Sequence, residues 1–250
     1  MTSTSAGPLS SPVVSRTIVR LGVLSIFGRR RGILLFVLPG VLVGLSVLIR
    51  ALVGQDASAT EATLYNLGLV VVVPLVALLA TSGLLAPEID DGSISYLLAK
   101  PISRHTIVAS KLLVAVGCVL LFGAIPMLVS GLVLRTDRPE IGLAFAIGSL
   151  LGGVTYCAIF ALLSVMTRHA VVIGLIYLLV WEGLLGGLLD GIRWLSVTRW
   201  STEIVDQVAG LSLVDDLPLA YAVLALVAVA VAATWRTGWQ LRAFNLTGDE

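Results

Sequence analysis

The sequence predicts an all-α integral membrane protein. It has six transmembrane helices, an N-terminal interfacial helix, and a short cytoplasmic helix between spans two and three. Three observations carry this. Of the 250 residues, 58% are hydrophobic and only 12% charged, where a soluble domain carries about a quarter charged. Mean hydropathy is +1.04. Six apolar runs each reach the roughly 20 residues a helix needs to cross the hydrocarbon core. Only short polar joints separate most of them, so the backbone must satisfy itself and each run is a helix.

Residues 1–12 are rich in Ser, Thr and Pro and are expected to be disordered; 13–250 form one transmembrane domain. In 13–27, Arg16 and Arg20 stand one turn apart, with Val14, Ile18 and Leu21 on another face, which is amphipathic helical spacing. The apolar core of a signal peptide would not contain Arg20 or run into Arg29, Arg30 and Arg31. A helix lying in the interface, Arg side chains toward lipid phosphates, is the preferred reading. The spans follow near 32–53, 64–85, 107–134, 141–166, 170–189 and 217–235. Pro39, Pro74 and Pro126 lie inside them and are expected to kink or loosen them.

Charge sets the orientation, because cytoplasmic segments carry the excess of Lys and Arg. With the N-terminus inside, eleven of the sixteen basic residues are inner, and Arg50, Arg135, Arg138, Arg193 and Arg199 are outer. Both termini are then cytoplasmic. The outer connections 54–63 and 135–140 are short. The third, 190–216, carries Arg193, Trp194, Arg199, Trp200, Glu203 and Asp206, a composition suited to an interfacial half-buried helix. It reads equally as a membrane anchor or as an external gate over a translocation path.

Several functions are excluded by what the chain lacks. No basic block approaches a nucleic-acid footprint. Cys118 and Cys157 sit inside apolar runs and make no disulfide or metal framework. His105 and His169 have no ligand partners in sequence, and neither an HExxH pair nor a GxSxG elbow occurs, so no catalytic or metal site is expected. The pairs Gly40/Gly44, Gly148/Gly152 and Gly183/Gly187 have the spacing of close helix packing. Glu182 falls near the middle of the fifth span, where an acid costs about 3 kcal/mol on insertion scales and should face protein or water. It is either part of a cavity or proton-linked site, or a protonated or hydrogen-bonded glutamate between helices.

The stretch 86–111 is the long polar interruption on the inner side. Asp90 or Asp91 suits an N-cap, and two acids suit the positive end of a helix dipole. Ile94, Leu97 and Leu98 share a helical face, Lys100 sits at the negative end, and Pro101 stops the helix. Ser103 can cap the helix that becomes span three. An acidic start is wrong for resting on an anionic leaflet. Docking into a protein groove accounts for both the acids and the apolar face.

These residues carry a resemblance. The pattern Glu88-x-x-x-Gly92-Ser93, Leu97-Leu98, Pro101, Ser103-Arg104, Ile107 and Lys111 resembles the signature of ABC-2-type permeases, the membrane subunits of ATP-binding-cassette exporters. About twenty-five residues are motif-specific, and the six-helix layout extends the likeness over most of the chain. Ser110 stands where the family usually has Gly, and Ser93 where Thr is commoner. The resemblance implies a coupling helix that contacts an ATPase subunit through Glu88, Asp90, Asp91, Gly92, Ile94, Leu97, Leu98, Pro101 and Arg104. No GxxxxGK[ST] pattern occurs. ATP and Mg are therefore expected in a separate P-loop ATPase, beside a second membrane subunit, identical or related, in the lipid of the cell membrane. The cargo is not legible. The alternatives are a stand-alone secondary carrier or channel with Glu182 as its ion-coupling residue, a non-transporting scaffold, and last an intramembrane enzyme.

Overall fold

A chain with so few charges must bond its backbone to itself, and it does so in helices. The computed structural model describes residues 31–90, 104–167, 169–185, 194–213 and 217–243, and no strand occurs among them. Helix α1 is Arg31–Val53. Helix α2, residues 57–90, joins Ala57–Ala62, a π-helical stretch Thr63–Val72 and Val73–Asp90. Helix α3, residues 104–134, joins Arg104–Val119, a π-helical turn Leu120–Ala124 and Ile125–Leu134. Then come α4, Pro139–Met166; α5, residues 170–185, π-helical over Tyr177–Leu185; α6, Val197–Ala209; and α7, Leu219–Ala243. The end of the bundle where α2 passes to α3, and α4 to α5, is called lower here; the opposite end is upper.

Five of the six expected spans (α1, α2, α3, α4 and α7) are helices long and apolar enough to cross a membrane. The expected fifth, 170–189, is a shorter apolar helix over its described residues. The expected interfacial helix at 13–27 lies outside the described residues, as do 91–103. One boundary differs in kind. The connection 54–63 is mostly helix, because Gly54 at φ 83 closes α1 and Asp56 starts α2 at once, its Oδ1 accepting from Ala59 N at 2.8 Å. The Ser58 hydroxyl, then the Ala59 N–H, hold the Asp56 carboxyl below its usual 3.8.

The three buried-span prolines resolve differently. Proline removes an N–H and its ring presses on the preceding turn. Pro74 follows directly on the π-helical stretch of α2, and Pro126 on the π-helical turn of α3. The wider turn makes room for the ring. Pro39 sits inside α1 without such a turn.

Helix α4 is the centre, packed by α2, α3, α6 and α7. Glycines make that possible. A Cβ on Gly131 of α3 would run into the Gly142 Cα of α4, so the two backbones touch. A Cβ on Gly148 would meet Ser201 O at 2.8 Å and Val205 Cγ2 at 2.7 Å, and one on Gly152 would strike the Ser201 hydroxyl. The Gly148/Gly152 pair read from the sequence is therefore the seat of α6. Among the described residues, the Gly40/Gly44 pair meets nothing within 4 Å. Many buried hydroxyls are satisfied within their own helix: Ser46, Ser149, Ser164, Ser201, Thr202 and Thr237 each donate to the carbonyl one turn back at 2.6–2.8 Å.

The upper end is a polar cap. Arg135 pairs with Asp137 at 2.9 Å, holding that carboxyl below its usual 3.8. Arg138 pairs with Glu140 at 2.8 Å and donates to Ala209 O at 3.0 Å, which ties the start of α4 to the last turn of α6. With its amide turned to suit its neighbours, Gln55 accepts from Arg50 Nη2 at 2.7 Å and donates to Asp137 Oδ1 at 3.0 Å.

Two outcomes follow. Gly142→Leu should destabilise the folded chain by at least the roughly 1–3 kcal/mol typical of overpacking, while Gly40→Ala and Gly44→Ala leave it unchanged; melting in detergent separates them. Asp56 has a depressed folded pKa, so its contribution is complete above about the usual carboxyl value and fades as pH falls through the folded one. Ala59 amide exchange, corrected for intrinsic rate, should rise on acidification in the wild type and not in Asp56→Asn.

Candidate functional site

Two places in the bundle bring polar groups where lipid would not tolerate them alone. The first is the lower end of the α2–α3 hairpin. Helix α2 runs to Asp90, beyond the expected end of span two near 85, so Glu88 and Asp90 belong to its last turns rather than to a loop. Arg104 opens α3. Asp91, Gly92, Ile94, Leu97, Leu98 and Pro101 lie outside the described residues; of the two expected caps, Asp90 is instead the last residue of α2, and Asp91 lies outside with the others.

What the structure adds is Lys111. It is 4% exposed, and its Nζ donates to Leu84 O of α2 at 2.8 Å. An ammonium so buried must be bonded. Here the bond crosses from one helix of the hairpin to the other, a turn or two above the segment that joins them. Ser110, beside it, is buried and donates to Thr106 O at 2.7 Å. A serine fits where a glycine is usual because its hydroxyl is satisfied within its own helix.

The second place is Glu182. Its carboxylate lies between α5 and the start of α6. Oε1 accepts from Val197 N at 3.0 Å and from the Tyr177 hydroxyl at 3.4 Å. Oε2 accepts from the Ser196 hydroxyl at 2.5 Å and from Thr198 N at 3.4 Å. Ser196 in turn caps α6, its Oγ accepting from Arg199 N at 3.2 Å. The first three N–H groups of α6 are thus all satisfied, and a carboxylate stands at the positive end of its dipole. The π-helical winding of α5 helps, since it brings Tyr177 and Glu182 to one side. Tyr177 is held in turn by Phe160 of α4, edge to face at 6.2 Å.

The depth of this site can be gauged on α4. Thr198 Oγ1 is 2.8 Å from the Tyr156 hydroxyl. Tyr156 lies about 25 Å from the Pro139 end of α4 and about 15 Å from its Met166 end, at 1.5 Å rise per residue. Helix α6 therefore starts near the middle of the bundle and climbs along the glycine face of α4 to Arg138 at the top. The segment 190–216 was expected to hold an interfacial half-buried helix; the helix found there, α6, is buried through Val197, Thr198, Trp200, Ser201, Ile204 and Val205 and exposes Gln207 and Val208. The tryptophans brace its lower end. Trp200 Nε1 and the Tyr221 hydroxyl both donate to Trp194 O at 2.9 Å.

The sequence singled out Glu182 but not the groups it holds. Val197 and Thr198 bond through backbone N–H, which no residue type advertises. The Ser196 cap was findable, as a Ser followed by an amphipathic run. Among the described residues, no group of three or more His, Cys, Asp or Glu could hold a metal ion.

A helical bundle of this length and apolarity is that of a multi-pass membrane protein. The model of the ABC-2 family transporter protein matches residues 48–238, from the end of α1 through most of α7, and the chain belongs to that family. Comparison with curated proteins gives no match. As a family member the chain is a membrane permease component of an ABC transporter, a part that works with an ATPase subunit.

Replacing Lys111 by Met keeps the aliphatic volume and removes the donor. It should cost about 1.5–3 kcal/mol, the range for a hydrogen bond from a charged group, with part regained by Arg. Melting of the detergent-solubilised chain checks this; an unshifted transition would show that the Leu84 link bears no weight.

Proposed function

We propose that the chain is the membrane-spanning subunit of an ABC exporter, driven by ATP hydrolysed on a separate P-loop ATPase that docks on residues 88–104. The observation that carries the reading is the family match, whose span takes in the whole α2–α3 hairpin. Both termini and the hairpin end are cytoplasmic in this reading, in keeping with the eleven-to-five bias of basic residues. Ile94, Leu97 and Leu98 form the apolar contact, and Glu88, Asp90, Asp91 and Arg104 its polar frame. Gly92 and Pro101 delimit the docking helix.

The mechanism proposed follows from the joints. Closure of two nucleotide-loaded ATPases pushes on the docking helix. Because α2 and α3 are bonded to each other at Leu84 and Lys111, the push moves them as a pair rather than spreading them. A second membrane subunit, identical or related, supplies the other wall of the path. This chain contributes no catalytic residue, and Mg and ATP belong to the partner.

The test is purification of the tagged chain from its native membrane in mild detergent. A stoichiometric P-loop ATPase should accompany it and be lost when Ile94, Leu97 and Leu98 are made polar in a chain that still elutes as folded protein. Recovery of the chain alone, even after crosslinking, would overturn the reading.

A further inference from the structure

We propose that Glu182 is a positioning residue: its carboxylate supplies the acceptors for the first turn of α6, fixes that helix at its depth against α4, and carries no ion. A carboxylate has about four acceptor positions, and here four donors face its two oxygens, from Tyr177, Ser196, Val197 and Thr198. A transported cation would have to displace protein donors from both oxygens. The donors, moreover, are not chance neighbours. Two are the N–H groups that every helix leaves unbonded at its start, and they belong to Val197 and Thr198, both buried.

The opposite side of the same turn is fixed as well. Thr198 Oγ1 meets the Tyr156 hydroxyl at 2.8 Å, one turn below the glycine seat of α6. The first turn of α6 is thus clamped between α5 and α4. Release of Glu182 would leave α6 held through α2, α4, α7 and its upper tie at Arg138. The inference stands whatever the cargo, and it draws on the permease reading only in the second test below.

Hydrogen exchange on the intact chain in lipid nanodiscs decides it. In the wild type the amides of Val197 and Thr198 should be protected, unlike those of an uncapped helix start. Glu182→Ala should speed their exchange roughly five- to thirtyfold, the effect of losing a cap, with 203–209 little changed. Glu182→Gln should recover much of the protection, because its amide oxygen still accepts. Unprotected wild-type amides, or exchange indifferent to Glu182→Ala, would overturn the proposal; where that variant fails to accumulate, the wild-type protection and the Gln variant decide. In the second test, flux by the complex in Glu182→Gln should persist with ATP and ignore proton and sodium gradients. Wild-type flux driven by such a gradient and lost in Glu182→Gln would overturn it. Absence of any ATPase would sink the permease reading and leave the exchange result untouched.

Discussion

Contact between bare backbones along α4 is the constraint on which the bundle depends. In lipid, helices gain nothing from burying apolar side chains against each other rather than against acyl chains, so close packing and hydrogen bonds must hold them. At Gly131 and Gly142 the approach is too close for any Cβ, and at Gly148 and Gly152 the Ser201 turn of α6 fills the space a side chain would occupy. Once those glycines set the distances, the remaining contacts follow: Phe122 reaches Phe36 of α1, Thr155 reaches the Leu226 carbonyl of α7, and Tyr156 reaches α6. The outer helices α1 and α7 keep most of their large apolar side chains exposed, as lipid-facing helices should.

Most of the polar groups inside are bonded within the protein, although among the described residues the hydroxyls of Thr81 and Ser130 find no hydrogen-bond partner. Hydroxyls return to their own helix, Lys111 spends a proton on a neighbouring helix's carbonyl, and Glu182 takes up the start of α6. This is why an acid and an amine are tolerated in so apolar a chain. Neither faces the other; they lie in separate parts of the bundle and do separate things.

Much of this was legible from sequence because length and hydropathy act residue by residue. Spans at 32–53, 107–134 and 141–166 fall within a few residues of α1, α3 and α4. Pro74 and Pro126 announced disturbed helices, though not that the disturbance would be a wider turn before the ring. Gly148/Gly152 and Gly40/Gly44 look alike on paper, yet among the described residues only the first pair seats a helix, since spacing says nothing about what lies opposite. The 190–216 segment holds the helix its composition suggests, but composition does not say how much of it is covered. Trp and Arg suit an interface, but Thr198, Ser201 and Thr202 back-bond or pair once buried, so α6 is apolar enough in practice to enter the bundle. Lys111 was visible in a motif, while its partner is a backbone carbonyl and so has no signature.

The bond between Glu182 and α6 also bears on how the protein is made. The carboxylate leaves the ribosome 14 residues ahead of Ser196, so α5 enters the bilayer with its acid lacking three of its four donors, the Tyr177 hydroxyl alone being already present. Nor can α6 settle until α4 has presented its glycine face, which is already in place by then. Synthesis order therefore makes α5 the helix that waits: it can pack on α2 and α4 at once, but its acid is fully bonded only when α6 has been made. A nascent chain halted just after 185 would hold an incomplete pair, and that intermediate is the one membrane quality control would meet.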